Sequence, residues 1–137
     1  MLSQKLECEV NELSRILNNK ENHLLIDVRE YPEYAASRIA QARLIPLGEL
    51  EAKANELDKQ TPVYLICRSG RRASQAQDKL LSLGFRDVHN VKGGMMAWQA
   101  AVLPIEISQN APWSLERQVR FVAGSLVLLG TLLSIFV

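Results

Sequence analysis

The sequence has little cysteine, histidine or net charge, and each shortage excludes a class of protein. Its 137 residues include two cysteines, Cys8 and Cys67, too few for a disulfide-stabilised scaffold. The two histidines stand alone and no Cys-x-x-Cys pair occurs, so we expect no metal site and no cofactor. The net charge of +1 gives no reason to expect a nucleic-acid partner.

The N-terminal residues, MLSQKLECEV, lack the apolar core of a secretion signal. We therefore expect the chain to remain in a reducing compartment, where a free thiol survives. A length of 137 residues suits one compact domain, and 47% hydrophobic residues are enough for a buried core.

Short apolar runs alternate with segments of helical periodicity along most of the chain. The runs typical of strands cover residues 23–28, 42–46, 63–67 and 87–91. Helical spacing predicts a first helix that is capped by Ser3 and carries the apolar residues from Leu6 to Leu17. Further helices are predicted over residues 32–39, 49–57 and 72–83, and after Gly93-Gly94. This alternation favours an α/β fold with a mostly parallel central sheet flanked by helices.

Residues 63–67, VYLIC, form the clearest predicted strand. The run is apolar without alternation and rich in residues that favour strands, which predicts burial on both faces and a central place in the sheet. Ligands in parallel sheets bind at the carboxyl ends of the strands. Cys67, the last residue of this predicted strand, therefore stands where a functional site is expected.

The loop Cys67 to Arg72, CRSGRR, joins this strand to the next predicted helix. A helix N-terminus presents unpaired N–H groups and a partial positive charge, and Gly70 permits a tight turn that points successive amides inward. Such a nest would stabilise a thiolate or a persulfide anion on Cys67. Arg68, Arg71 and Arg72 add positive charge that favours an anionic sulfur donor. The alternative is that Cys67 is only a small core residue beside a solvated run of arginines.

Four motifs in the right order make the chain similar to rhodanese domains. They are residues 26–30 with 32–34, residues 42–46, residues 63–72, and residues 91–94 with Trp98 and Leu103-Pro104. On this resemblance we predict a rhodanese domain over residues 1–105. Arg38 and Gln41 stand where the family usually has histidine and glycine, so we expect a local adjustment there.

The resemblance implies a thiosulfate sulfurtransferase with Cys67 as the catalytic nucleophile. Cys67 would take the outer sulfur of a donor such as thiosulfate as a persulfide and pass it to cyanide or to a thiol acceptor. The backbone amides of the binding loop, Arg68, Ser69, Gly70, Arg71 and Arg72, would hold that sulfur. Asp27 and Arg29 would have supporting roles near the loop. The alternative is that Asp27 only caps the end of its strand and Arg29 only forms an ion pair at the surface.

Two other functions stay open for the cysteine loop. Related folds use such a loop for phosphatase or arsenate-reductase chemistry, with arginine six positions after the cysteine, whereas this chain has Ala73 there. A loop one residue shorter suits a single sulfur atom better than a tetrahedral oxyanion. The third possibility is a persulfide sensor or adaptor that holds sulfur without turnover.

The C-terminal segment, residues 113–137, differs from the rest of the chain and follows a predicted linker over residues 106–112. The chain is uncharged from Phe121 to Val137, at the short end of the roughly 17–25 residues that a spanning helix needs. Trp113 suits the membrane interface, and Arg117 and Arg120 favour a cytoplasmic location for the preceding domain. We therefore predict an anchor in the cell inner membrane, with the alternative of a helix packed on the sheet.

Residues 112–118 also resemble the start of the membrane segment in bacterial membrane-linked rhodaneses. Because those proteins continue into a second spanning helix, we expect this chain to be a truncated form. A lone apolar helix can anchor the domain in the membrane or drive the association of several copies of the chain, so an oligomer is a second possibility.

Overall fold

The computed structural model describes residues 5–108, so that Ser3 and the predicted anchor over residues 113–137 lie outside the described residues. The elements in chain order are β1 (Leu6–Cys8), α1 (Val10–Asn18), β2 (Leu24–Asp27), α2 (Tyr31–Ala36), β3 (Ser37–Arg38), β4 (Arg43–Leu44), α3 (Leu47–Lys53), a 3-10 turn (Ala54–Glu56), β5 (Val63–Ile66), α4 (Arg71–Ser82), β6 (Val88–Val91), α5 (Gly94–Ala100) and β7 (Glu106–Ile107).

The central sheet has five strands in the order β1-β6-β5-β2-β4, and all of its pairings are parallel. The predicted α/β fold around a parallel sheet is confirmed. All four residues of β5 are buried, as its unbroken apolar run predicts. In register, Leu65 of β5 lies between Ile26 of β2 and Asn90 of β6. The chain that leaves β5 therefore emerges in the middle of the carboxyl edge of the sheet.

Two apolar clusters cover the two faces of the sheet. One cluster packs α3 and α4 against the sheet, through residues such as Leu50, Ala73 and Leu80. The other packs α1 and α5 against the opposite face, through residues such as Leu13 and Trp98. The spacing of small and large apolar residues on α1 and α4 produces these buried stripes, and burial of that area is the main favourable term for folding.

The prediction of a helix from Leu6 onward is wrong at its start. Residues 6–8 form the edge strand β1, and the helix begins only at Val10. Leu6 and Cys8 pair with His89 and Val91 of β6, and this long-range pairing overrides the local helical spacing. Leu6 is 40% exposed, so it does not belong to the apolar stripe of α1.

Other predicted boundaries shift by a few residues. The helix predicted to reach Ile39 ends at Ala36, because Ser37 is extended and begins β3. The helix predicted over residues 49–57 is α3, which begins at Leu47, followed by the 3-10 turn. The strand predicted over residues 42–46 is reduced to Arg43–Leu44, and β5 ends at Ile66, one residue before Cys67. Where the linker was predicted to begin, Glu106–Ile107 is a short strand.

No helix within residues 5–108 is long and apolar enough to cross a membrane.

Arg38, where a local adjustment is predicted, lies against the last turn of α2. The Arg38 guanidinium donates to the carbonyl oxygens of Tyr34 and Ala35 in the last turn of α2, at 3.3 and 3.4 Å. It also lies 5.3 Å from the centre of the Tyr34 ring and 3.3 Å from a carboxylate oxygen of Glu106. A cation at a helix C-terminus is favourable, because the last carbonyls carry partial negative charge.

Candidate active site

The Cys67 sulfur accepts two hydrogen bonds from backbone amides of the loop that follows it. The Gly70 N–H donates to Sγ at 3.0 Å, and the Ala73 N–H donates to it at 3.3 Å. Gly70 is the N-cap residue of α4, with a φ of 107° that side chains rarely tolerate. Since Ala73 is the third residue of that helix, Sγ takes the position of an N-cap side-chain acceptor. The partial positive charge of the helix start thus lies against the sulfur.

Three carbonyl groups of the same loop are held on the other side by β6 and α5. The Met95 and Met96 N–H groups donate to the carbonyl oxygens of Cys67 and Arg68, at 2.8 and 3.0 Å. The Asn90 side-chain amide donates to the Gly70 carbonyl at 3.1 Å. In a trans peptide the N–H points opposite to the C=O. The N–H groups of residues 68, 69 and 71 therefore point away from β6 and α5.

The Gly93-Gly94 turn allows α5 to approach the loop this closely. Both glycines have positive φ, at 76° and 56°. A Cβ atom on Gly94 would overlap the carbonyl oxygens of Cys67 and Arg68. The two glycines of the closing motif thus permit the hydrogen bonds that hold the loop carbonyls.

The three arginines of the loop differ in their surroundings. Arg68 and Arg71 are exposed at the rim. Arg72 forms a two-pronged ion pair with Glu33 of α2, with N–O distances of 2.7 and 2.9 Å. These hydrogen bonds lower the pKa of Glu33 to about 2 and raise the pKa of Arg72. Arg72 therefore ties α2 to the start of α4, and its guanidinium is directed to Glu33.

Asp27 and Arg29 pair with each other at the end of β2. The Arg29 guanidinium donates to both Asp27 carboxylate oxygens, at 2.9 and 2.7 Å, and also to the Ser37 carbonyl. Both residues are buried, so the alternative of a surface ion pair is wrong. Asp27 lies beside Ile66 in register, and the Val28 N–H donates to the Ile66 carbonyl. The pair thus fixes the strand end next to Cys67.

The two cysteines lie on opposite faces of the sheet. Cys67 is 1% exposed and belongs to the cluster under α3 and α4, whereas Cys8 belongs to the cluster under α1 and α5. Burial, with the nearby carboxylates of Glu12 and Glu9, raises the pKa of the Cys8 thiol to about 11. A thiol with this pKa is a poor nucleophile at neutral pH.

Sequence reasoning missed Asn90 and the Glu33–Arg72 pair as parts of the site. Asn90 carries a detectable signal, because it is a buried polar residue in a strand that begins and ends with buried valines. The Glu33–Arg72 pair joins residues 39 positions apart and carries no local signal. Within residues 5–108, no group of three or more Cys, His, Asp or Glu side chains is placed to hold a metal ion.

Comparison with known proteins agrees with this arrangement of sheet and loop. A family model described as the rhodanese-like domain matches residues 9–101. The chain belongs to the rhodanese-like domain family. It is 35% identical over 99 residues to a sulfurtransferase of Allochromatium vinosum, over 72% of this chain and 92% of that protein. The Synechocystis protein slr1261 is 37% identical over 121 residues, 88% of this chain and 68% of that protein.

Solved structures give the same result for the fold. The solution structure of the rhodanese-like domain of the Anabaena protein Alr3790 superposes with a TM-score of 0.71 at 28% identity. The superposition covers 80% of this chain and 86% of that chain. The family predicted from four sequence motifs is therefore confirmed, and the family includes sulfurtransferases.

Replacement of Gly94 tests the close approach of α5 to the rhodanese loop. We expect Gly94→Ala to lower the free energy of unfolding by about 2 kcal/mol or more, because the new Cβ meets carbonyl oxygens and the backbone is left-handed. Urea unfolding measures the change. The matched control is Gly48→Ala in α3, where a Cβ meets nothing within 4 Å, and it should be neutral or stabilising. Equal effects of the two substitutions would contradict the packing described.

The Glu33–Arg72 pair predicts a specific pH dependence of stability. Because the pKa of folded Glu33 is lowered from 4.5 to about 2, the pair stabilises the fold above pH 4.5. Its contribution is lost as the pH falls toward 2. Both side chains are partly exposed, so Glu33→Gln should cost only about 1 kcal/mol at pH 7.

Urea unfolding at pH 7 and pH 3 measures the effect of Glu33→Gln. The difference between wild type and variant should shrink at the lower pH. Glu51→Gln is the control, because the exposed Glu51 lies 4.0 Å from Lys79 and should contribute almost nothing. A pH-independent difference for Glu33→Gln would refute the ion-pair interpretation.

Proposed function

We propose that this chain is a sulfurtransferase that takes a sulfane sulfur from thiosulfate or a similar donor as a Cys67 persulfide and passes it to a thiol or to cyanide. The observation that carries the proposal is the position of Cys67 Sγ, which accepts the N–H groups of Gly70 and Ala73 at the start of α4. Main-chain donors and a helix N-terminus stabilise negative charge on sulfur through the cycle.

The proposed cycle has two displacements at sulfur. In the first, the Cys67 thiolate attacks the outer sulfur of thiosulfate, a new S–S bond forms, and sulfite leaves with the electron pair of the broken S–S bond. In the second, the acceptor attacks the outer sulfur of the persulfide and the Cys67 thiolate leaves. Cyanide then yields thiocyanate, and a thiolate acceptor yields a new persulfide. The protein supplies position and fixed dipoles for both steps.

Five loop residues would bind the donor and the carried sulfur. The main-chain N–H groups of residues 68–72 would hold the outer sulfur, and Gly70 supplies the turn. Arg68 and Arg71 are exposed at the rim, where their charge would attract an anionic donor. Arg72 would contribute mainly through its main-chain N–H, because its guanidinium is paired with Glu33.

Asp27 and Arg29 would support the site without touching the donor. Their buried ion pair holds the end of β2, and β2 is hydrogen-bonded to β5 directly before Cys67. A rigid strand end keeps the cysteine in place while the loop receives substrate. In this proposal the pair positions the nucleophile and takes no part in bond making.

The phosphatase alternative is less compatible with the loop. The position six residues after Cys67 is Ala73, whose N–H donates to Sγ, and the Arg72 guanidinium is held by Glu33. An oxyanion enzyme needs a guanidinium directed to the bound anion.

We also propose that residues 113–137 anchor the protein in the cell inner membrane with the rhodanese domain in the cytoplasm. The support is the sequence: an uncharged run from Phe121 to Val137, with Arg117 and Arg120 on its N-terminal side. The anchor would restrict the domain to acceptors near the membrane surface.

Persulfide formation is tested by intact-mass measurement after treatment with thiosulfate. We expect the wild type and Cys8→Ser to gain one sulfur atom, and Cys67→Ser to gain none. Addition of cyanide should remove the sulfur with formation of thiocyanate over many turnovers. An equal gain on Cys67→Ser would reject Cys67 as the carrier, and stable loading without turnover would favour a sensor. Hydrolysis of an aryl phosphate that depends on Cys67 would instead support a phosphatase.

Membrane attachment is tested by cell fractionation of the full chain. We expect the wild type in the membrane fraction, resistant to salt and released by detergent. Leu129→Arg places a charge inside the apolar run, which costs roughly 2.5–3.5 kcal/mol of insertion free energy, and should shift protein out of that fraction. Gln109→Arg lies outside the run and is the control. A wild type that salt releases would contradict the anchor.

A further inference from the structure

Asn90 is a buried polar residue directly beside the cysteine loop. It lies on β6 next to Leu65 of β5, and it is 8% exposed. Its side-chain nitrogen donates to the Gly70 carbonyl, whereas its side-chain oxygen is buried without a hydrogen-bond partner among the described residues. An unpaired buried acceptor costs free energy, so an apolar residue of similar size would suit packing better. A polar residue at this position therefore points to a task other than packing.

The peptide group between Gly70 and Arg71 is held from two sides. Its carbonyl accepts from the Asn90 side chain at 3.1 Å and from the Ser74 N–H at 3.0 Å. The first bond anchors the peptide to the sheet and the second belongs to the first turn of α4. Because the N–H points opposite to the carbonyl, this arrangement directs the Arg71 N–H away from β6.

Gly70 lowers the steric barrier to rotation of the 70–71 peptide group. Its φ of 107° lies in a region that only glycine adopts readily, and glycine changes its backbone angles at little steric cost. Without the bond from Asn90, only the Ser74 N–H in the first turn of α4 would hold the Gly70 carbonyl. If that single bond broke, the 70–71 peptide would rotate and direct its carbonyl toward the open side of the loop. A carbonyl oxygen facing an anionic sulfur is repulsive, and one amide donor would be lost.

We propose that Asn90 is a positioning residue for sulfur transfer, one that locks the Gly70–Arg71 peptide with its N–H toward the carried sulfur. This inference rests on the proposed function and deepens it, because it names what keeps the loop in its sulfur-binding conformation. Asn90 acts through the loop and does not contact the donor.

The test compares three variants of the full chain in detergent. Asn90→Leu removes the donor and the unpaired acceptor at similar size, and Asn90→Ala removes both without adding a charge. Gln77→Leu is the matched control. Gln77 is also a buried amide, 1% exposed, but it donates to the carbonyls of Leu6 and Val88, away from the loop.

We expect both Asn90 variants to lower kcat for thiosulfate by about 10–100-fold, as misplaced catalytic groups do, with the KM nearly unchanged. In NMR spectra of the reduced protein, the amide signals of Gly70 and Arg71 should shift. Gln77→Leu should lower the melting temperature and leave kcat and these amide signals near their wild-type values. If Asn90→Leu does not fold, Asn90→Ala provides the same comparison.

Two results would overturn the inference. One is wild-type kcat and unchanged Gly70 and Arg71 amide signals in the Asn90 variants. The other is an equal loss of kcat in Gln77→Leu, which would mean that Asn90 affects activity only through the general stability of the fold. Failure of the proposed function is separable, because the wild type would then form no persulfide. The amide signals of the reduced protein would still report whether Asn90 holds the loop.

Discussion

The structure of the site depends on one interaction, the capping of helix α4 by the sulfur of Cys67. The Ala73 N–H in the first turn of α4 donates to Sγ, and the Gly70 N–H joins it from the loop. A helix start needs an acceptor for its free amides, and in most helices a serine or aspartate side chain supplies it. Here the acceptor is the reactive atom itself. The fold therefore prepares the electrostatic environment of the nucleophile with the same groups that start the helix.

A second segment of the chain binds the carbonyl side of the capped loop. Residues 90–96 supply a side-chain amide and two helix-start N–H groups to the carbonyls of Cys67, Arg68 and Gly70. The bonds from α5 supply partners for the carbonyls of Cys67 and Arg68, and the bond from Asn90 adds a second donor to the Gly70 carbonyl, which also accepts from the Ser74 N–H. The two helix N-termini thus have different partners: α4 faces the sulfur, and α5 faces the loop carbonyls.

The sequence predicted the parts of the fold and site that depend on local pattern. The VYLI run, the glycine of the loop and the Gly93-Gly94 turn each impose a conformation on their immediate neighbours, so their structures could be anticipated. The edge strand β1 could not, because Leu6 fits the helical spacing of Val10 and Leu13, and residues 6–8 form a strand only through pairing with β6. The roles of Asn90 and Glu33 depend on contacts with residues 20 and 39 positions away. Spacing along the chain holds no information on such contacts.

The placement of the two cysteines on opposite sides of the sheet has a redox consequence. Cys8 is on β1 and Cys67 follows β5, with β6 between them, so their Cα atoms are about 10 Å apart. A disulfide requires Cα atoms within about 7 Å, and these side chains also point into different clusters. The chain has no other thiol. An oxidised sulfur at Cys67 therefore cannot be discharged within its own molecule, and its lifetime is governed by whichever external reductant or nucleophile reaches it first.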